Sequence, residues 1–199
     1  MPSWRVHKKW GERILGFSTS KIDQLIDQDE THDAGRYDIN IFERQVTHVK
    51  SLYGETGVEY YILHHLLDYA EQRLLSILSD EAIREYYERT RSAEEVLREV
   101  RRKLLEDLQE FKLKDDPFIA KTIKKIVKFY QNLDMLDELI FDIMNGDNFP
   151  KRLGNIIYMK AIPHSKSWYF IDQKKVDEIV NIAIECIGEI FGILAKKFQ

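Results

Sequence analysis

Leu63, Leu66, Leu67, Ala70, Leu74 and Ile77 recur at three- and four-residue intervals, the period at which an α-helix brings side chains onto one face. A half-buried strand would need strict alternation, and this stretch has none. The same period returns in Trp4, His7, Gly11 and Ile14, then in Phe42, Val46, Val49 and Tyr53. It returns again in Val96, Leu97, Val100, Leu104, Leu108 and Phe111, and in Ile119, Ile123, Ile126, Tyr130 and Leu133. Only 9 Gly and 4 Pro among 199 residues leave few places to break such helices. The expected class is all-α, a multi-helix bundle long enough to bury a core of its own.

Local signals set the expected boundaries. Ser3 caps a first helix to about Leu15, closed by Gly16, and Ser20 with Asp23 opens a short second helix through Ile26. The stretch 27–38 is polar. Asn40 and Glu43 have capping-box spacing for a helix to about Tyr53, Gly54 and Gly57 interrupt it, and a stronger helix runs from about Val58 to Leu78. The segment 80–114 is highly charged and reads as a long solvated arm or outer helix. Asp116-Pro117 starts a helix that continues to Asn145-Gly146, so its apolar stripe carries Asp134 and Asp137 onto the buried face. Between 153 and 172, Ile156–Met159 and Trp168–Ile171 flank a turn and predict a small β-hairpin near the C-terminus. A last helix covers about 173–197. The expected organisation is a helical domain over 1–150, with the hairpin and final helix of 151–199 packed on it.

A net charge of −4 gives no general attraction for nucleic acid. Lys121, Lys124, Lys125 and Lys128 form a basic edge, ordinarily a solvated face. The single Cys186 among isoleucines suggests a buried thiol in a reducing compartment, hence a cytoplasmic protein. The first ten residues are amphipathic and charged, so no secretory leader is expected, and four acidic residues in 176–195 argue against a membrane span.

Five of the six histidines fall in the first third: His7, His32, His48, His64 and His65. His7 shares the side of Trp4, Gly11 and Ile14 and should point inward, as a hydrogen-bonded core histidine or as a ligand. His32-Asp33 offers a nitrogen and a hard oxygen in one backbone unit, and Arg36 follows closely. His64 and Asp68 are one helical turn apart, with His65 about a quarter-turn further round; the alternatives are a metal-binding edge or a solvent-facing strip opposite the leucines. His48 lies off its apolar stripe and reads as a surface residue. Buried carboxylates at Asp134 and Asp137 would require a cation, and an arginine is the competing partner.

This order, His7, His32-Asp33, His48, His64-His65 and Asp134, resembles that of the HD-domain metal-dependent phosphohydrolase superfamily, over roughly residues 4–140. The resemblance implies an HD-like helical metal-binding domain over 1–150. His7, His32, Asp33 and Asp134 would hold one cation, and His64 and His65, with His48 in the middle slot, would complete a second site bridged by Asp33. Asp33, Arg36 and Asp68 are the implied catalytic residues. One or two divalent transition metals, Mn, Fe or similar, would activate a water against a nucleotide, a short phosphodiester or another phosphorylated small molecule. The polar Asp29-Glu30-Thr31 before the dyad departs from the family, which carries it on an apolar helix. The Gly-Tyr-Pro signature of the cyclic-dinucleotide branch is absent. A contrasting expectation is a non-enzymatic helical interaction or scaffold protein using the charged segment 80–114, which is also the candidate surface for a homo-oligomer.

Overall fold

The computed structural model describes residues 3–28, 34–167 and 170–199, and these are almost entirely helical. The elements are α1 (Trp4–Leu15), α2 (Ser20–Ile26), α3 (Ala34–Tyr37), α4 (Ile39–Glu88), α5 (Ala93–Glu110), α6 (Pro117–Tyr130), α7 (Leu133–Met144), α8 (Phe149–Ser165), β1 (Lys166–Ser167), β2 (Phe170–Ile171) and α9 (Gln173–Phe198). The all-α class is as expected. No described helix is long and apolar enough to cross a membrane.

Several ends follow directly from local chemistry. Gly16 closes α1 in the left-handed region, at φ 65° and ψ 22°. The Asp116 carboxylate accepts from the Phe118 and Ile119 amides at 2.8 and 3.0 Å, with Pro117 as the first helical residue of α6. Two caps sit one or two residues from their expected places. Thr19, not Ser20, accepts from the backbone ahead of α2, and Asp38, not Asn40, accepts from the Asn40 and Ile41 amides to start α4. The expected interruption of α4 is a sharp kink at Gly54, with φ 66° and ψ −155°, a conformation that only glycine adopts cheaply.

The chain forms two compact units, residues 1–71 with 107–132 and residues 72–106 with 133–199. In the first, the Trp10 indole is fully buried with its ring edge-on to Tyr130 at 5.3 Å, and every residue from Tyr60 to Asp68 is buried. A helix enclosed on all sides cannot keep a solvated strip, so His64, His65 and Asp68 lie in the interior along with the leucines. In the second unit, Val96, Leu97, Val100 and Leu104 are buried to within 1% of full burial. The charged segment is therefore not a solvated arm: α5 is an amphipathic helix whose apolar stripe belongs to the core.

Two further expectations are corrected. Ile156–Met159 is helical, because Leu153, Ile157 and Ala161 make a buried stripe at four-residue spacing that outweighs the β-branched composition of the run. The hairpin shrinks to two-residue strands, with Lys166 opposite Ile171. The helix beginning at Pro117 does not run to Asn145 either. It ends at Tyr130, turns through Gln131 and Asn132, and restarts at Leu133.

One buried charge cluster holds α4 to α5 in the second unit. The Glu81 side chain, 2% exposed, accepts from Arg91 Nη1 and Lys103 Nζ, both at 2.7 Å. Burial alone would raise its pKa, but the two cations hold it below the ordinary glutamate range. That stabilisation is present above the ordinary value and lost as pH falls through the lowered one. Glu81→Gln should cost about 3 kcal/mol near neutral pH, the low end for breaking a buried pair because both cations keep some water. Urea denaturation of both proteins should show the gap closing on acidification; an equal midpoint near neutrality would remove the claim.

Candidate metal centre

The amphipathic phase of α1 and the enclosure of α4 bring His7 and His64 face to face, with ring centroids 3.9 Å apart and an interplanar angle of 23°. Both are fully buried. Asp68, one turn beyond His64, lies against them, with Oδ1 3.3 Å from His7 Nε2 and Oδ2 3.2 Å from His64 Nε2. One ligand atom from each of the three residues lies within 4.8 Å of the other two.

These are not ordinary hydrogen bonds. Among the described residues, His7 Nδ1 and Nε2, His64 Nε2 and both Asp68 carboxylate oxygens are buried without a hydrogen-bond partner. Such groups are rare in folded proteins, and an ion is a standard reason for them. A cation bound at roughly 2.0–2.2 Å to nitrogen and oxygen spaces neighbouring ligand atoms about 3–3.5 Å apart, the range seen here.

A second ring of polar groups orients the first. Asp23 Oδ1 is 2.9 Å from His64 Nδ1, and the Tyr60 hydroxyl donates to both Asp23 oxygens at 3.0 and 3.1 Å. With Nδ1–H donating to Asp23, His64 turns Nε2 toward Asp68, the carboxylate–histidine arrangement typical of metal ligands. Asp27 closes the group: its Oδ1 is 3.3 Å from His64 Nε2, while its Oδ2 accepts from the Trp4 indole N–H at 2.6 Å.

Electrostatics agree with the geometry. Burial alone would lower the His64 pKa, but the carboxylates of Asp23, Asp27 and Asp68 raise it well above the ordinary histidine range. Burial would raise Asp68, yet His64 and His7 hold it far below a normal carboxylate. Asp27 is lowered as His64 and Trp4 overcome its burial. Burial and Asp23 together keep the Tyr60 phenol protonated. Three carboxylates around two imidazoles form an excess of negative charge in a closed space, which a divalent cation would offset.

Not every residue singled out in the sequence joins this group. His32 and Asp33 lie outside the described residues. His65 is fully buried but packs edge-on to Tyr61 at 4.7 Å, and the converging set does not include it. Arg36, expected to meet phosphate, is half-buried with its guanidinium 5.0 Å from the Tyr69 ring and 5.7 Å from that of Phe111. His48 is exposed, as its helical phase predicted.

Asp134 is corrected. It is 66% exposed and ion-paired to Lys197 at 2.6 Å, so the buried carboxylate that asked for a metal ligand at this position does not exist. The break at Gln131–Asn132 resets the helical phase, turning Leu133 and Asp134 outward together. Asp137 is buried but satisfied by the arginine that was the competing explanation. Arg101 donates twice, at 2.6 and 3.0 Å, and Lys197 once at 2.9 Å.

Asp23 and Asp27 were missed. Asp23 sits between Ile22 and Ile26 on a short helix, the same acid-on-an-apolar-face signal that drew attention to Asp134, but its capping spacing from Ser20 masked it. Tyr60→Phe tests the outer ring. The change should lower metal affinity by about 10-fold while costing only about 1 kcal/mol of fold stability, since Asp23 keeps its contact with His64. Cobalt titration followed by visible absorbance reads the first, and thermal melting the second. An unaltered titration would remove Tyr60 from the site.

No family model matches the chain, and comparison with curated proteins and with solved structures gave no match.

Proposed function

We propose that the chain is a metal-dependent phosphohydrolase whose cation is held by His7, His64 and Asp68. The observation that carries this reading is the convergence of their buried ligand atoms within 4.8 Å, without hydrogen-bond partners among the described residues for the His7 nitrogens, His64 Nε2 or the Asp68 oxygens. Two imidazoles and a carboxylate suit Mn, Fe or Zn better than Mg or Ca. When bound there, the cation supplies Lewis acidity toward a phosphoryl oxygen and makes water easier to deprotonate.

The protein's own groups have separate tasks. Asp23 fixes the tautomer and tilt of His64, Tyr60 steadies Asp23, and Trp4 holds Asp27 beside the cluster. Asp68, facing both histidines, is better assigned as a ligand than as a proton carrier. The phosphoester class rests on the resemblance of the His7, His32-Asp33 and His64-His65 order to HD-domain hydrolases. His32 and Asp33 belong to the proposal on that ground alone, with nucleotides or short phosphodiesters as substrates.

Burial favours a second reading. His7 and His64 are fully buried and Asp68 is 2% exposed, the enclosure expected of a structural ion with no open position for substrate. Protein purified without a histidine tag should carry near-stoichiometric transition metal, reduced to trace in His64→Ala and Asp68→Asn. Manganese-dependent cleavage of bis(p-nitrophenyl) phosphate, lost in both variants, supports the hydrolase. Metal retention with a sharply lower melting temperature after chelation and no turnover supports the structural ion. Metal-free protein would sink both readings.

Proton competition gives an independent check. Because the metal-free cluster holds His64 protonated above the ordinary histidine range, cation binding must expel that proton. Apparent affinity should rise with pH, by up to about tenfold per unit for one displaced proton, and level off once His64 deprotonates unaided. Calorimetric titrations in buffers of different ionisation enthalpy would count the proton released; none released contradicts the assignment of His64.

A further inference from the structure

We propose that a groove of the first unit, between α6 and residues 111–115, is a docking site for an acidic amphipathic helix of a partner protein. The groove encloses about 1000 Å³, the upper end of the volumes that small ligands fill. On α6 its wall is Ala120, Ile123, Lys124, Val127, Lys128 and Gln131. That i, i+3, i+4, i+7, i+8, i+11 series is one helical face about 16 Å long, suited to an elongated occupant. Across from it, Phe111 and Leu113 contribute apolar floor and Lys112 contributes rim.

Charge selects the occupant. Lys112, Lys124 and Lys128 are exposed and have no carboxylate within 4.0 Å among the described residues, whereas neighbouring Lys125 is tied to Glu59 at 3.0 Å. Asp115 is the one acidic residue lining the groove. A chain of net charge −4 thus leaves three exposed ammonium groups without a carboxylate among the described residues around one apolar trough, and a fourth lysine of its lining, Lys114, sits 5.6 Å from the Phe42 ring. The floor also argues against a nucleic-acid strand. Its one aromatic ring, Phe111, is 4% exposed and packs against Tyr69 at 5.0 Å, so it offers no face on which a base could stack. Aliphatic floor and cationic rim match a helix with apolar residues at i, i+3, i+4 and i+7 and carboxylates on its flanks.

The probe is a fluorescein-labelled helical peptide of about 15 residues, the least that holds a helix in water, with leucines at those positions and glutamates between them. Titrated with the full chain, it should bind saturably and weaken with added salt. Affinity should fall at least about tenfold in the double variant Lys124→Glu, Lys128→Glu, whose positions are exposed and whose melting temperature should not change. Lys112→Glu, on the facing wall, should weaken binding in the same direction and serves if the double variant misfolds. The proposal is overturned by absence of saturable binding, or by binding indifferent to these charge reversals. Equal affinity for an isomeric peptide with scattered leucines, or for a single-stranded oligonucleotide of the same charge, overturns it too, since either makes the groove a general polyanion surface.

Discussion

An ionised carboxylate taken out of water costs several kcal/mol unless a cation or strong donors meet it. Around the middle of α4 the fold buries Asp23 and Asp68 and leaves Asp27 only 9% exposed. The neighbouring architecture answers to that constraint. α1 must approach α4 closely enough for His7 to reach Asp68, and Gly11 permits it, since a Cβ there would collide with the Tyr60 ring. α2 must be short and must present an acid between two isoleucines. Trp4, at the start of α1, ties that helix to Asp27 at the end of α2.

Two buried aspartates, Asp137 and Asp68, show two solutions to the same problem. Asp137 receives two bonds from Arg101 and one from Lys197, all with good hydrogen-bond geometry, so its charge is matched by side chains alone. Among the described residues, Asp68 meets imidazole nitrogens at 3.2 and 3.3 Å, with no hydrogen bond to either oxygen. A structural ion pair explains the first completely. It does not explain the second, and this contrast is what makes the His7–His64–Asp68 group the candidate metal centre.

Much of this was legible in the sequence where the signal is local. Gly16, the Asp116-Pro117 start and the leucine period of α4 each fix an element from a few residues. His7 is inward because its phase on α1 says so, and His64 meets Asp68 because four residues make one turn. What escaped is non-local. That α4 is enclosed on every side depends on α1, α2 and α6, and the partnership of Asp23 with His64 spans 41 positions. Asp134 was misplaced because a phase argument holds only while a helix is unbroken, and nothing in Gln131–Asn132 announces a break as glycine or proline would. In 153–165, β-branched residues outvoted a four-residue apolar spacing that was equally present.

The kink at Gly54 has a consequence for the helical phase of His64 and Asp68. An α-helix turns by about 100° per residue, so in an unbroken helix from Ile39 any added or deleted residue would swing His64 away from His7. The left-handed step at Gly54 uncouples the two halves. The later half takes its rotation from Tyr60, His64 and Asp68 gripping α1 and α2, while the earlier half is held separately, by Gln45 between the Leu25 carbonyl and the Tyr61 hydroxyl. One residue without a side chain thus separates the helical phase of His64 and Asp68 from that of the turns before it.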